Sequence, residues 1–336
     1  MLLTSLPMQP QIPTMTHTHP TTATLIAISV LALTSIAPAR AGDAIFSHTY
    51  LAETLPQGAK EVEQWVTFRS KRSQGTYNLT QTRTEFEYGV TNRWTLALYA
   101  NAYSVTAQNN NSVASRNNFS TVGGGDEVSG GGPVTAGPYV PSAESLPVPS
   151  ARYKKSAFES LSVESIYQFL SPYKDGLGLA GYVEATAGSK TQELEFKLLL
   201  QKNLLDDQLI LAANVALEFE REKWSGVVAE KETTLRFTGG ASYRFAGGWR
   251  AGLELRNERA WEGGYTLAAD KRNYSAWFAG PTLHYAGEKL WVTLGYQQQL
   301  PWATAYSAEA RDERVGGRVY KSSERHTVRV LAGISF

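Results

Sequence analysis

The chain of 336 residues contains no cysteine. That absence excludes a disulfide framework, a thiolate nucleophile and a cysteine-ligated metal centre, and it suits a polypeptide that crosses an oxidising compartment unfolded. Charge of either sign fails to dominate, with 32 Lys+Arg against 31 Asp+Glu and a net charge of +1. No basic field therefore points to nucleic acid, and no charge block forms an interaction tail. Beyond residue 41 there is no apolar run of the ~20 residues that a membrane helix needs. Histidine is scarce, and past that point only His48, His284 and His326 remain. The sequence also lacks a Gly-x-Ser-x-Gly elbow and a His-Glu-x-x-His pair, so neither a serine hydrolase nor a zinc protease is marked. No residue pattern implies a cofactor or a metal.

What is present is period two. Alternation of apolar and polar residues predicts strands over 62–70, 77–89, 93–105, 157–169, 177–187, 192–202, 208–220, 233–245, 249–261, 274–285, 290–300 and 326–336. The oily faces can be named. Leu209, Leu211, Ala213, Val215, Leu217 and Phe219 share one side of their segment, opposite Asn214, Glu218 and Glu220. Trp249, Ala251, Leu253 and Leu255 stand opposite Arg250, Glu254, Arg256 and Glu258. Such alternation fits a barrel with lipid outside and charge inside, and equally a soluble sandwich with charge outside.

Connection length separates these readings. Tight turns at 89–92, 171–176, 203–207, 246–248 and 286–289 are rich in Gly, Pro, Asn and Asp. The connections 107–156, 221–232, 262–273 and 301–325 are longer, while 71–76 and 188–191 are short and predict a low wall there. Tyr88, Phe169, Tyr243, Phe245, Trp249 and Tyr285 gather beside the tight turns, as an aromatic girdle at a lipid interface would.

The two termini carry further signals. From Thr24 the sequence reads Leu-Ile-Ala-Ile-Ser-Val-Leu-Ala-Leu-Thr-Ser-Ile-Ala, followed by Ala39-Arg40-Ala41. This is an apolar core with a small-x-small cleavage site, so residues 1–41 are expected to be an export signal, starting at Met1 or Met15. At the other end, Val328, Val330, Ala332, Ile334 and Phe336 form one apolar face. This ending resembles the closing strand of Gram-negative outer-membrane β-barrels, and the resemblance implies that Phe336 and Ile334 are read by the barrel-assembly machinery.

Three stretches extend the resemblance: Val62-Glu-Gln-Trp-Val-Thr-Phe-Arg69, Thr84-Glu-Phe-Glu-Tyr-Gly89 with Asn92-Arg93-Trp94, and Gly280-Pro-Thr-Leu-His-Tyr285 with Leu290-Trp-Val-Thr-Leu-Gly295. They are similar to an uncharacterised proteobacterial group of outer-membrane barrels described as transporters. The resemblance implies a barrel across the exported chain and carries neither a substrate nor catalytic residues.

The resulting expectation is an all-β protein, a transmembrane antiparallel up-and-down barrel of about twelve strands over 61–336, located in the bacterial outer membrane after signal cleavage. Its partners would be outer-membrane lipids, lipopolysaccharide and a small solute. Residues 42–60 are expected to be a short periplasmic segment, too short for a plug domain, and 107–156, rich in Gly and Asn, a flexible extracellular loop. Parity sends Glu193, Glu195, Glu218 and Glu220 inward near the outer rim, with Arg236, Arg256 and Arg329 farther round the wall. An acidic arc facing a basic arc would set a transverse field across a wet lumen and filter small polar or charged solutes by diffusion. The alternatives are a closed barrel with a structural or surface-interaction role and, third, a lipid-modifying enzyme; the sparse histidines argue against an enzyme.

Deleting Phe336 is expected to deplete folded, heat-modifiable protein from the outer membrane while synthesis stays constant, because the terminal aromatic serves as recognition residue and interfacial anchor. Immunoblots of unheated membrane samples check this, and parental levels of folded protein would count against it.

Overall fold

The computed structural model describes residues 44–73, 75–108, 153–222, 229–320 and 324–336. Eleven long strands follow one another: β1 (Lys60–Ser70), β2 (Thr76–Thr91), β3 (Trp94–Gln108), β4 (Tyr153–Leu170), β5 (Gly178–Gly188), β6 (Thr191–Leu204), β7 (Leu209–Glu222), β8 (Glu230–Ala246), β9 (Trp249–Glu262), β10 (Arg272–Ala286) and β11 (Leu290–Gln299). Short pieces β12 (Thr304–Ala305), α1 (Ala308–Asp312), β13 (Arg314–Val315) and β14 (Arg318–Val319) precede the last long strand, β15 (His326–Ser335). The long strands make a closed antiparallel barrel of 12.

Closure rests on β15, which pairs with β11 on one edge and β1 on the other. Its register runs from Glu61 opposite Ser335 to Ser70 opposite His326, and the Phe336 amide donates to the Lys60 carbonyl at 3.0 Å. A ring without edges satisfies every ladder internally, which is what permits strands to stand in hydrocarbon. The predicted strands agree with the observed ones to within a few residues, and both expected low points are there: β1 and β2 are joined across 71–75, and β5 and β6 across 189–190.

The expected faces hold as well. Leu98, Leu161, Val183, Leu198, Val215, Leu253, Leu255 and Leu294 are exposed on the outside of an otherwise well-packed wall. Tyr88, Tyr167, Phe169, Tyr243, Phe245, Trp249 and Tyr285 form an exposed belt beside the tight turns. Within it the Trp249 and Tyr285 ring centroids lie 4.9 Å apart, and those of Tyr167 and Phe169 lie 5.3 Å apart. Phe336 and Ile334 are also exposed on this outer surface.

Two segments depart from the expectation. Residues 44–55, predicted to lie in the periplasm, are inside the barrel: Ile45, Phe46, Ser47, His48, Thr49, Ala52 and Leu55 are buried. A plug does not need a folded domain when the wall supplies hydrogen-bond partners to a single extended strap. The β11–β15 connection, predicted as a plain loop, also packs inward. Its Ala303, Ala310 and Val319 meet the inward-facing Tyr274, Ala276 and Phe278. Gln299 brackets this cap from the wall, donating to the Val319 carbonyl at 2.9 Å and accepting from the Val319 amide at 2.7 Å. Arg72 and Arg69 hold Glu324 at 2.8 and 3.6 Å where the cap returns to β15. The predicted loop 107–156 lies mostly outside the described residues.

Replacing Leu253, 68% exposed near mid-wall, by Arg is expected to lower stability in lipid vesicles by about 2–4 kcal/mol, and Leu253→Phe by little, since only the charge is disfavoured in hydrocarbon. Denaturant titration followed by tryptophan fluorescence distinguishes the two, and equal costs would contradict the assigned face.

Candidate functional site

The interior is built around a carboxylate on β9. The backbone N–H groups of Ser47, His48 and Thr49 donate to Glu254 at 2.9 Å each, and the Ser47 hydroxyl adds a fourth bond at 2.5 Å. Consecutive amides converging on one anion form a nest, with the ligand here supplied by the protein itself. Arg329 on β15 reinforces it from the other side, donating to the Ser47 carbonyl at 2.6 Å and to Thr67 at 3.0 Å.

From there the strap sweeps round the wall, its backbone bonded to polar inward side chains in turn. The Tyr50 amide donates to Asn214 Oδ1 at 2.7 Å, and Asn214 Nδ2 donates to the Tyr50 carbonyl at 2.9 Å. Ala52 donates to Gln201 at 2.9 Å and accepts from Gln168 at 2.6 Å. Leu55 donates to Thr95 at 2.8 Å, and the Ala44 carbonyl accepts from Thr293 at 2.5 Å. A buried backbone polar group without such a partner would cost about 1–3 kcal/mol, so these side chains are what allows the strap to stay inside. Gly240 and Gly295 make room for it. A Cβ on Gly240 would stand 2.5 Å from the Phe46 ring, and one on Gly295 would collide with Ser47.

Above the strap lies a belt of ion pairs. Arg83 reaches Glu85 at 3.2 Å and Glu164 at 3.3 Å, with its guanidinium 3.3 Å from the Tyr99 ring centre. Lys197 sits 2.9 Å from Glu195 and 4.0 Å from the ring centres of both Tyr50 and Tyr182. Arg236 joins Glu195 at 3.0 Å, Glu218 at 3.1 Å and Glu258 at 3.7 Å, and Arg256 meets Glu258 at 3.4 Å. Below the strap, toward the tight turns, a cavity of about 660 Å³ is lined by Glu53, Asp207, Arg244, Arg250, His284 and Lys289 among others.

All the predicted selectivity residues face inward, but the expected arrangement of two opposed arcs is not what the geometry gives. Arg236 lies beside Glu195 and Glu218 on neighbouring strands and pairs with them along the wall. Glu193 and Glu220 stand opposite each other on β6 and β7, one step nearer the rim. Arg256 is linked to that group through Glu258, whereas Arg329 is separate and serves the strap. A long guanidinium reaches carboxylates one and two strands along the wall, so Arg236 pairs with Glu218 and Glu195 there.

Sequence reasoning passed over Glu254, Asn214, Gln201, Gln168 and Thr95 as strap anchors. The available signal was glycine on the inward face, at Gly240 and Gly295, where an interior strand glycine marks a close backbone approach. Ser47, His48 and Glu254 bring a hydroxyl, an imidazole and a carboxylate together, with Ser47 Oγ 2.8 Å from His48 Nδ1. Glu254 binds the hydroxyl and the amides, and all three residues are buried. This arrangement clamps the strap.

A family model described as a family of unknown function, DUF6662, matches residues 38–336. None of the curated proteins matches this chain. Among solved structures, the COG4313 outer membrane channel from Pseudomonas putida F1 is similar over 85% of this chain and 98% of that chain, with a TM-score of 0.53 and 11% identity. The NanC porin aligns over 81% of this chain and 98% of its own, at 10% identity and a TM-score of 0.45. The KdgM porin covers 82% and 99%, at 11% identity and a TM-score of 0.42. At 11% identity the likeness to the COG4313 channel concerns the fold alone, a closed β-barrel.

Glu254→Ala is expected to loosen the strap by about 3 kcal/mol or more, because three buried amides lose their acceptor. Hydrogen exchange of residues 47–49, read by mass spectrometry, should then accelerate on the order of a hundredfold. Unchanged protection would mean that Glu254 is not the clamp.

Proposed function

The chain belongs to DUF6662, a family of unknown function, and we propose that it is an outer-membrane channel for small polar or charged solutes, closed at rest by its own N-terminal strap. The observation that carries this reading is the strap itself. Residues 44–55 cross the interior bonded to side chains of β3, β4, β6, β7, β9, β11 and β15. It is a single extended segment held by polar contacts that water can replace, together with apolar packing of Ile45 and Phe46 on Ile210 and Ala212 and of Ala52 on Ala180 and Leu199. A barrel meant only to be closed is filled more stably by apolar side chains, since a buried ion pair often does no better than a hydrophobic one of similar volume. The ion-pair belt above the strap and the charged cavity below it are instead surfaces that hydrate when the strap leaves.

The charged belt supports small polar or charged solutes as the class. Arg83, Lys197, Arg236 and Arg256 alternate with Glu85, Glu164, Glu195, Glu218 and Glu258, so a solute of either sign of charge would find partners there. The reading assigns no catalytic role. A closed barrel with a structural role is the competing reading, favoured by the depth at which the strap is buried, and conductance separates the two.

In planar bilayers the parent is expected to be mostly silent with rare openings, whereas deletion of residues 44–55 should give sustained ohmic conductance. In the deleted protein, Arg236→Gln with Arg256→Gln should shift selectivity toward cations, and the shift should shrink as salt rises from about 0.1 M to 1 M, where the screening length falls from ~10 Å to ~3 Å. A correctly folded deletion variant that never conducts would establish the closed barrel.

A further inference from the structure

The outer halves of β6 and β7 carry carboxylates where a sheet should avoid them. Glu193 is paired in register with Glu220, and Glu195 with Glu218; one strand on, Glu220 faces Glu232. Like charges directly opposite each other in a ladder are destabilising, and burial removes the water that would screen them. Glu218 is 1% exposed and Glu220 6%. Lys197 and Arg236 bring two positive charges to this group of four carboxylates. Both cations bond Glu195, and Arg236 takes only one oxygen of Glu218.

The oxygens left over are specific. Glu218 Oε1 and Glu220 Oε1 are buried without a hydrogen-bond donor. One carboxylate oxygen from each of Glu193, Glu195 and Glu218 also lies within 4.8 Å of the other two. Calcium binds oxygens at ~2.3–2.6 Å, so oxygens that share one ion are at most ~5 Å apart, which this trio satisfies. The donor set contains no nitrogen or sulfur and therefore selects a hard cation.

We propose that the inner face of β6 and β7 holds a divalent cation of the calcium or magnesium class between Glu193, Glu195 and Glu218. The ion relieves the cross-strand repulsion and offers Glu218 Oε1 the partner it lacks. It ties β6 to β7 near the rim. Conduction is not required, so the site stands apart from the channel reading.

The test is calorimetric titration of the purified, folded barrel in detergent, stripped with EDTA and kept at constant ionic strength, with CaCl₂ and separately with MgCl₂. One saturable site per chain is expected, with a Kd on the order of 10⁻⁴–10⁻³ M for calcium, the range of extracellular modules. The double variant Glu193→Gln/Glu220→Gln, which spares the Arg236 and Lys197 pairs, should bind at least tenfold more weakly. It should melt no lower than the parent in EDTA, because the like-charge pair is gone. The melting temperature of the parent should rise with added calcium and that of the variant should not. The parental shift is decisive even if the variant folds poorly. Absence of saturable binding up to about ten times the upper end of that Kd range, or variant binding equal to the parent's, overturns the site.

Discussion

One carboxylate organises the inside of this barrel. Glu254 accepts three backbone amides and a hydroxyl from residues 47–49, and those bonds convert an N-terminal segment with little intrinsic structure into a fixed part of the interior. An anion buried in a barrel wall needs donors, and a strap pulled out of water needs acceptors. Each requirement satisfies the other. Everything below and above follows from that fixed point: the strap separates the charged cavity at the tight-turn end from the ion-pair belt, and Tyr50 on the strap places its ring against Lys197.

The wall itself is simpler. Alternation places leucine, valine and phenylalanine toward lipid and charge toward the interior, and closure by β15 removes the sheet edges. A wall of this type tolerates short connections at one end and longer ones at the other. The β11–β15 connection uses that freedom to fold a small helix and a hairpin against Tyr274 and Phe278, so the strap and this cap approach the interior from opposite ends.

How much of this was legible in the sequence depended on the range of the interaction. The strands and their faces were, because parity along β7 or β9 is local information that no distant residue overrides. Inward-facing glutamates and arginines were legible as types, since Glu218 and Arg236 share the face opposite Val215 and Phe237. Their partners were not. Whether Arg236 crosses the lumen or bends to Glu195 and Glu218 depends on register between strands and on what fills the middle. The strap was misread as a periplasmic linker because its anchors are scattered: Asn214, Gln201 and Gln168 lie 164, 149 and 116 residues away from the backbone groups they bind. Side chain to backbone bonds of that kind impose no pattern on the segment they hold, and inward glycines such as those at 240 and 295 were the hint that backbone would pass there.

The central claim is that the strap is a removable closure, and a chain without cysteine permits a clean lock. A Cβ at Gly178 would lie 3.1 Å from the Cβ of Ala52, close to the ~3.5–4.5 Å that a disulfide requires. Single-channel recording of Ala52→Cys/Gly178→Cys, first oxidised and then reduced in the same bilayer, tests the claim directly. The account predicts that oxidation abolishes the rare openings of the parent and that reductant restores them; openings that persist unchanged with the disulfide formed would contradict it.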